Sequence, residues 1–472
     1  MLSIHLDDSG TSPLYEQIYH SVKIKILSGE LTAGDKLPSS RSFAAFLGVS
    51  RNTVEIAFAQ LLAEGYLESK ERCGYFISQI THTQTFSTQS SNTVSNTFSQ
   101  KETSFQYDFA PNSIDISHFP VTVWSHLAKN NLYDCNLLLQ GHNQGDEKLR
   151  GAIASYLHGS RSVNCIPEQI IVGAGMDYLL QLLSLILGRG RKMAIENPCY
   201  QQARHIFQRA DYQIIDIPLD TDGIQMNPLY KSSANCCYVT PSHQYPLGLI
   251  MPITRRQELL YWASQNPERY IIEDDHDSEF RYKGKPIPSL QGMDTEEKVI
   301  YIGTFSKAIA PSLRVGYMVL PKPLLSVYHE HFSFYSCTVS RFEQSIISDF
   351  ITKGYFEKHL NRMRKLYKSK HDQTISLLKD KLNGYHILGE YAGLYIIIQA
   401  NKKEGLTAKA NQTFENKQIH KAMEYGIRLY GLSGFYTKLP EDYHAAFLIG
   451  FAALTDVKLS EGLILLCEKI LA

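Results

Sequence analysis

Lys307 lies in a run of small and hydroxyl residues, Gly303-Thr-Phe-Ser-Lys-Ala-Ile-Ala-Pro-Ser-Leu-Arg314, which follows an apolar strand predicted at 299–302. Arg314 ends this run, and an acidic strand predicted at 270–277 ends about thirty residues before the lysine. A lysine that forms a Schiff base with pyridoxal phosphate (PLP) needs a carboxylate at the pyridine nitrogen and cations at the phosphate. The three features together predict a PLP site in which Lys307 supplies the catalytic amine.

The acidic strand offers several carboxylates for the pyridine nitrogen. Its sequence, Tyr270-Ile-Ile-Glu-Asp-Asp-His-Asp277, contains Glu273, Asp274, Asp275 and Asp277. We select Asp274, because strand alternation directs Asp275 to the opposite face; Glu273 and Asp277 remain competitors. Desolvation alone would raise the pKa of Asp274, whereas a protonated ring nitrogen within hydrogen-bond distance would favour its charged form.

A second phosphate-binding feature lies earlier in the chain. Ile170-Ile-Val-Gly-Ala-Gly-Met176 has the pattern of a strand and a glycine turn that lead into a helix, predicted at 177–187. Free N–H groups and the helix dipole converge at such a helix N-terminus. Gly175 and Met176 are therefore candidate backbone donors to a phosphate, although a glycine turn by itself is more often only a tight turn.

The segment around Lys307 resembles the Schiff-base segment of fold-type I aminotransferases, and this resemblance assigns further residues. It implies that Thr304 and Arg314 contact the cofactor together with Lys307 and Asp274. Tyr200 resembles the aromatic residue that stacks on the cofactor ring in these enzymes. The alternative for Tyr200 is a tyrosine of the hydrophobic core.

Two positions depart from the aminotransferase pattern around the 3′-oxygen of the cofactor. Tyr245, in the loop 238–248, stands where most aminotransferases carry an asparagine, and His276 stands where they usually carry a tyrosine. A neutral imidazole N–H could replace the tyrosine hydroxyl, but with a different reach and a pKa near neutrality. These departures predict poor transamination. Three more residues of this loop lie near the ring without assigned roles: Ser242, His243 and Gln244.

Efficient transamination also needs a cation for the α-carboxylate of the substrate. The segment 445–451, where such enzymes often place an arginine, contains none. Arg204 and Arg428 are the remaining candidates, and we expect both to be surface or structural residues. The absence of an arginine from segment 445–451 favours a sensor of the vitamin B6 pool over a regulator of γ-aminobutyrate use.

Residues 12–77 have the pattern of a winged helix-turn-helix. Ser12 and the proline after it predict the N-cap and first turn of a helix, whose apolar residues then recur at helical spacing. Gly48 ends a second helix, and Ser50 caps a third. Two short alternating strands at 65–77 form the wing.

Three strings of this segment resemble the GntR family of bacterial regulators: Leu37-Pro-Ser-Ser-Arg41, Ser50-Arg-Asn-Thr53 and Leu61-Leu-Ala-Glu-Gly-Tyr66. The resemblance implies double-stranded operator DNA as a partner, because helix N-termini can meet phosphates and base edges. Residues 1–77 contain seven Lys and Arg against nine Asp and Glu, so affinity requires a local basic face. The alternative is a protein-binding winged helix with solvated arginines. The predicted DNA-binding residues are Arg41, Ser50, Arg51, Asn52, Thr53, Arg72 and Gly74.

A polar linker is predicted between the two motifs. Of the 26 residues at 78–103, nineteen are Ser, Thr, Gln or Asn, and this composition predicts disorder. A flexible chain of this length spans roughly 25–30 Å, enough to reach a neighbouring subunit. The predicted division is therefore a DNA-binding domain at 1–77, a linker at 78–104 and a PLP-binding effector domain at 105–472.

The composition agrees with a cytoplasmic regulator that has no membrane partner. The 472 residues carry a formal net charge of +0, and the sequence shows neither a signal peptide nor an apolar run that could span a membrane. The eight cysteines have no CxxC spacing and are expected to be reduced. We find no metal-ligand cluster in the sequence.

The whole chain outside the linker resembles the MocR/GabR family of bacterial transcription regulators, in the motifs above and in Pro241-Ser-His-Gln-Tyr-Pro. The resemblance implies a winged helix followed by a PLP-dependent transferase of fold type I. That α/β fold has a doubly wound, mostly parallel sheet and a smaller C-terminal α/β subdomain. It also implies a homodimer, with each winged helix crossing to the partner, that senses PLP or an amino-acid or amine effector. The alternative is an active aminotransferase with a DNA-binding appendage.

Overall fold

The computed structural model describes residues 6, 12–70, 73–79, 105–282, 287–401 and 406–471. The chain divides into two compact units, residues 1–102 and 103–472. Within the described ranges, every helix is too short or too polar to cross a membrane.

The first unit has three helices and a two-stranded wing, as the sequence predicted. Its elements are α1 Leu14–Leu27, α2 Ser40–Leu47, α3 Arg51–Ala63, β1 Leu67–Lys70 and β2 Gly74–Ile77. Gly48 ends α2 with a left-handed φ of 70°, and the Ser50 hydroxyl accepts a hydrogen bond from the Thr53 N–H at 3.2 Å. The predicted Ser12 cap is wrong, because Pro13 itself holds the cap position in an extended conformation.

The core of this unit is aromatic and is reinforced by one polar cluster. Phe43 of α2 stacks on Phe58 of α3, with ring centroids 5.8 Å apart. Across α1 and the end of α3, the Glu64 carboxylate accepts hydrogen bonds from the Tyr19 hydroxyl at 2.6 Å and from the Lys23 amine at 2.8 Å. The two contacts hold α1 against α3 and thereby fix the surface that α2 and α3 present.

The second unit contains eleven α-helices and fourteen strands among its described residues. The helices are α4 Val121–Asn131, α5 Glu147–Arg161, α6 Met176–Leu187, α7 Gln201–Arg209, α8 Met226–Lys231, α9 Ile253–Ser264, α10 Lys322–His331, α11 Arg341–Thr352, α12 Tyr355–Lys381, α13 Ala408–Glu424 and α14 Asp456–Leu465. The strands are β3 Tyr107–Asp108, β4 Ile170–Gly173, β5 Lys192–Asn197, β6 Gln213–Asp220, β7 Gly223–Ile224, β8 Cys236–Val239, β9 Tyr270–Asp274, β10 Val299–Thr304, β11 Gly316–Val319, β12 Tyr385–Leu388, β13 Tyr395–Ala400, β14 Ile427–Arg428, β15 Tyr430–Gly431 and β16 Ala446–Gly450.

An eight-stranded sheet in the order β4-β11-β10-β9-β8-β5-β6-β7 forms the centre of this unit. The strands β10, β9, β8, β5 and β6 run parallel, whereas β11, β4 and β7 are joined by antiparallel pairing. A smaller antiparallel sheet, β12-β13-β16-β15, follows towards the C-terminus. The doubly wound sheet with a smaller C-terminal subdomain is therefore confirmed.

Two predicted strands have different ends in the structure. The acidic strand was predicted to reach residue 277, but β9 ends at Asp274, because the chain turns at Asp277 with a left-handed φ of 55°. The strand predicted at 299–302 continues to Thr304, since Thr304 still pairs with Gly316 of β11. The carboxyl ends of the parallel neighbours β8, β9 and β10 meet at one edge, where the side chains after each strand converge.

Candidate cofactor cavity and DNA-binding face

A cavity of about 240 Å³ lies at this sheet edge, beside the N-terminus of α6. It brings together residues that are far apart in the sequence. Seven of the predicted cofactor residues line it: Met176, Tyr200, Asp274, His276, Thr304, Lys307 and Arg314.

The Lys307 amine makes two polar contacts at the floor of the cavity. Its Nζ atom lies 2.7 Å from Oδ1 of Asp277 and donates a hydrogen bond to Nε2 of His276 at 2.9 Å. Burial lowers the pKa of His276 to about 3, so this imidazole is neutral and can accept the hydrogen bond. Burial opposes ionisation of Asp277, but the Lys307 ammonium beside it outweighs this effect and holds the pKa of Asp277 below its usual value.

Asp274 differs from the other acidic residues of its segment. Its buried carboxylate lines the cavity and accepts a hydrogen bond from the Tyr238 hydroxyl. Burial raises the pKa of Asp274 to about 7, because its charged form forms no ion pair with any described residue. Such a carboxylate would be stabilised by a cationic ligand atom.

The two neighbours of Asp274 already have partners within the protein. Asp275 is held by Arg161, whose guanidinium donates to Oδ1 at 2.8 Å and to Oδ2 at 3.0 Å. Glu273 accepts hydrogen bonds from the N–H groups of Leu290 and Gln291, each at 2.8 Å. These contacts leave Asp274 as the carboxylate that is available to a ligand at the end of β9.

The opposite end of the cavity combines a glycine turn with an arginine. Gly175 precedes α6 with a left-handed φ of 84°, and a Cβ atom there would lie 3.0 Å from the Arg314 guanidinium. Arg314 also pairs with Asp177 at 3.0 Å. The helix begins at Met176, one residue earlier than predicted, so its free N–H groups lie beside Arg314. This arrangement suits an anionic group such as a phosphate.

Tyrosines form one wall of the cavity. The rings of Tyr200 and Tyr245 lie 6.1 Å apart, and Asn112 donates a hydrogen bond to the Tyr245 hydroxyl at 3.0 Å. Tyr200 lines the cavity and also packs against a hydrophobic core cluster. Asn112 and Asp277 are site residues that the sequence analysis did not assign. Asn112 carries no motif, and Asp277 appeared there only as a competitor of Asp274.

The loop after β8 contributes three polar residues with different surroundings. The Ser242 hydroxyl accepts a hydrogen bond from Arg161, and the Gln244 amide donates to the carbonyl of Pro198 at 2.9 Å. His243 is only 1% exposed, and burial lowers its pKa to about 4. One potential ligand atom from each of His243, His276 and Asp277 lies within 4.8 Å of the others, a grouping that the sequence analysis missed. The Lys307 amine already contacts two of these three residues.

The two arginines considered for a substrate carboxylate lie elsewhere. Arg204 forms an ion pair with Asp216, and Arg428 lies 3.6 Å from Asp108. Neither arginine lines the cavity, and β16 contributes only apolar residues at the segment where an arginine was sought. Among the described residues that line the cavity, Lys307 and Arg314 are the only lysine and arginine side chains.

The predicted DNA-binding residues lie at two helix starts and on the wing. Arg51 begins α3, has a side chain that is 65% exposed and pairs with Glu55 at 2.7 Å. Asn52 is exposed next to it, and Arg41, in the first turn of α2, is exposed and forms no ion pair with a described residue. Ser50 and Thr53 form the cap of α3, so their hydroxyls are partly engaged with each other at 2.8 Å.

Two lysines that were not predicted from the sequence lie beside the wing, Lys70 on β1 and Lys36 in the segment before α2. Gly74 begins β2 with a left-handed φ of 106°, whereas Arg72 lies outside the described residues. The amines of Lys36 and Lys70 lie 5.9 Å and 4.9 Å from the ring of Phe76 on β2. The two lysines lie beside the same aromatic ring only because the fold brings residue 36 and strands β1 and β2 together, which the sequence alone does not show.

Comparisons with known proteins cover both units. Residues 14–77 match the family described as bacterial regulatory proteins of the gntR family, and residues 108–463 match aminotransferase class I and II. The chain is 40% identical to the uncharacterized HTH-type transcriptional regulator YdeL of Bacillus subtilis, covering 96% of this chain and 95% of YdeL. It is 31% identical to the probable rhizopine catabolism regulatory protein MocR of Rhizobium meliloti, covering 97% and 94%. Its fold matches a multiple substrate aminotransferase from Thermococcus profundus with a TM-score of 0.68 and 25% identity, covering 78% and 92%.

Proposed function

The chain belongs to the MocR/GabR family of transcription regulators, and we propose that its second unit is a sensor that controls operator binding. In this family a GntR winged helix is fused to an aminotransferase-like domain whose cofactor is PLP. We propose that PLP binds this unit through Lys307. The observation that carries this proposal is the position of Lys307, Asp274 and Arg314 around one cavity. The ligand that is sensed is PLP itself or an amino compound.

The donor set fits PLP at each end of the molecule. Asp274 would hold the pyridine nitrogen, because a pyridinium supplies the cation that this carboxylate lacks. Arg314, Thr304 and the N–H group of Met176 at the start of α6 would hold the phosphate. The Gly175 N–H, which the sequence also suggested as a donor, instead donates to the Gly173 carbonyl at 2.7 Å. When bound, PLP supplies an electron sink for chemistry at an amine.

The remaining residues would position the cofactor ring between Lys307 and the tyrosine wall. Lys307 would bind the aldehyde carbon, with Asp277 and His276 orienting its amine beforehand. Tyr200 would stack on the ring, and His276 would face the 3′-oxygen. Because the His276 imidazole is neutral, it can hold a proton on only one ring nitrogen at a time.

We propose that this site turns over slowly or not at all. Positioning of a substrate amine and its α-proton depends on groups that Tyr245 and His276 replace, and among the described lining residues there is no second arginine for a carboxylate. Loss of orientation and acid–base assistance can lower a rate by several orders of magnitude. Rapid mixing of the PLP-loaded protein with common amino acids tests this proposal. Release of 2-oxo acid at about 1 s⁻¹ or faster would instead support the alternative, an active aminotransferase.

We further propose a cytoplasmic homodimer whose winged helices read two operator half-sites, since paired domains supply affinity that one weakly basic domain lacks. The proposed division is 1–77, 78–104 and 105–472, with each winged helix crossing to the partner subunit. Sedimentation of the protein with operator duplexes that carry one or two half-sites measures the stoichiometry. Binding of a single chain to each duplex would exclude the dimer.

The regulatory part of the proposal is tested by operator affinity with and without PLP. We expect PLP to change the Kd of the parent protein for its operator and to leave that of Lys307→Ala unaffected. If both proteins respond equally, the signal does not pass through Lys307. If neither responds although PLP binds, an amino compound is the sensed ligand.

A further inference from the structure

The contacts of Lys307 define a binding site for a primary ammonium group. Its Nζ atom lies 2.7 Å from a carboxylate oxygen of Asp277 and 2.9 Å from an imidazole nitrogen of His276. The ring of Tyr245 faces the same amine, with its centroid 6.0 Å away. A buried carboxylate, a neutral hydrogen-bond acceptor and an aromatic ring are together suited to a desolvated ammonium ion.

This site loses its cation whenever Lys307 is engaged elsewhere. Asp277 is buried, and the Lys307 amine is its only lysine or arginine partner among the described residues. A buried carboxylate without a partner is unfavourable, so the pocket favours another cation at the same position.

The rest of the cavity disfavours a carboxylate on that incoming cation. Arg314, the other lysine or arginine side chain that lines the cavity, lies at the α6 end and pairs with Asp177. The lining instead contains Asp277 and Glu279, together with Asp275, which already pairs with Arg161. A carboxylate on the carbon next to the amine would face these acidic groups and the tyrosine wall without a cation partner.

From these contacts we propose that the cavity recognises a primary amine that has no carboxylate beside its amine, with Asp277 and His276 binding the ammonium in the place of the Lys307 Nζ. This inference rests on the proposed sensing function and narrows it to one class of ligand. Asp277 is then the residue that sets ligand specificity, and the Tyr200 and Tyr245 rings contact the apolar part of the amine.

The variant Lys307→Ala without PLP isolates the ammonium site from the cofactor. The substitution removes three methylene groups and the amine, so propylammonium has the shape of the missing atoms. L-2-Aminobutyrate is the same amine with one added carboxylate, and 1-propanol has the same shape without a charge. Because a ligand that binds only the folded state raises its stability, the melting temperature of the variant reports binding.

We expect propylammonium to raise the Tm of Lys307→Ala by about 2 °C or more at ten times its Kd, and to raise it further with the logarithm of its concentration, at constant ionic strength. Neither L-2-aminobutyrate nor 1-propanol should raise it. An equal or larger Tm shift with L-2-aminobutyrate would overturn the proposal. So would the absence of a shift with propylammonium up to about 100 mM, a concentration well above a Kd of millimolar order.

A second substitution locates the effect at one carboxylate. In Lys307→Ala/Asp277→Asn the response to propylammonium should be lost, and the fold should be preserved because asparagine tolerates the left-handed φ of 55° at this position. The matched control is Lys307→Ala/Glu279→Gln, which removes another carboxylate of the same cavity and should keep the response. Equal loss in both variants would show a general negative potential in place of a specific contact, and would overturn the assignment of Asp277.

The parent protein loaded with PLP connects the site to the proposed function. Its visible absorbance should change at lower concentrations of propylamine than of L-2-aminobutyrate, by at least tenfold. If PLP does not bind, the proposed function fails while the results with Lys307→Ala stand by themselves. If PLP binds and both ligands act at equal concentrations, the ligand class proposed here is wrong.

Discussion

The DNA-binding face and the cofactor cavity use charged residues in opposite ways. The face takes Arg41, Arg51 and Asn52 from one short stretch of chain, and these side chains are exposed. The cavity collects residues from Asn112 to Arg314 at the ends of parallel strands, and the carboxylates Asp274, Asp275 and Asp277 that line it are buried. An exposed charged side chain can contact DNA of different sequences, whereas a buried charged side chain binds one particular chemical group. The DNA-binding face is thus formed by residues close together in the sequence, whereas the cavity is formed by distant residues that the sheet brings together.

The largest expected effect concerns the covalent contact in the cavity. Lys307→Ala should abolish the visible absorbance that PLP gives when it is bound covalently, because no other described lysine lines the cavity. Absorbance spectroscopy after gel filtration measures the loss. Lys307→Arg is the matched control, since it keeps a cation for Asp277 but also removes the amine. An unchanged spectrum in either variant would place the covalent contact at another residue.

The second prediction concerns the two neighbouring aspartates. Asp274→Ala should weaken PLP retention by about 3 kcal/mol, roughly a hundredfold, because the pyridinium loses its buried counter-ion while the phosphate contacts remain. Equilibrium dialysis with PLP measures the change. Asp275→Ala is the control, because Asp275 already has Arg161 as its partner. If Asp275→Ala releases PLP and Asp274→Ala does not, our register at the end of β9 is wrong by one residue.

The third prediction concerns Arg51 on the exposed DNA-binding face. Arg51→Ala should cost about 1–3 kcal/mol at a cognate operator and should relax base preference if the arginine reads a guanine. Competition binding against duplexes with single base changes measures both effects. Glu55→Gln offers a control, because it releases Arg51 from its ion pair and should leave base preference intact. Unaltered base preference in Arg51→Ala would move base reading to another residue.

The buried carboxyl group of Asp274 also predicts that PLP affinity depends on pH. The pKa of Asp274 is raised to about 7 before PLP binds, and pairing with a pyridinium must lower it, so binding releases a proton from this carboxyl group at low pH. PLP affinity should therefore be complete above pH 7 and should fall by up to about tenfold for each unit below it. The titration is measured by absorbance in the parent and in Asp274→Asn. Since the asparagine variant removes only this titration, an identical pH profile in both proteins would contradict the assignment.

The smallest expected effect belongs to Arg41. Arg41→Ala should weaken binding to operator and random duplexes alike, because we assign this arginine to a phosphate, and it should lower the salt slope by roughly one unit. Binding titrations at several salt concentrations measure the slope. If Arg41→Ala and Arg51→Ala behave identically on both duplexes, the division between phosphate contact and base reading is wrong.

The sequence predicted best those features that depend on neighbours in the chain. Gly48 and Ser50 define the turn and the cap of the helix pair, because both act within three residues of themselves. The cap at Ser12 was wrong by one position, since Pro13 can take either the cap or the first helical place. The strand-turn-helix before Met176 was right to within one residue for the same reason.

What the sequence missed depends on contacts between distant segments. Asp277 contacts Lys307 only because β9 ends early and the chain turns at a left-handed aspartate, which alternation does not reveal. Asn112 reaches Tyr245 from the start of the second unit, and no motif marks it. Asp274 was selected by strand alternation, whereas the expectation for Tyr200 came from resemblance to aminotransferases.

The position of Asn112 has a consequence for how occupancy of the cavity can be observed. Asn112 contacts Tyr245 at the cavity wall, and a few residues before it the N–H groups of Tyr107 and Phe109 donate to the carbonyls of Gly426 and Arg428 at 3.2 Å and 3.1 Å. The first described residues after the linker are therefore both part of the cavity wall and part of a short hydrogen-bonded strand. We expect a ligand that displaces Tyr245 to change deuterium uptake at Tyr107 and Phe109, a measure of ligand binding that needs neither DNA nor turnover.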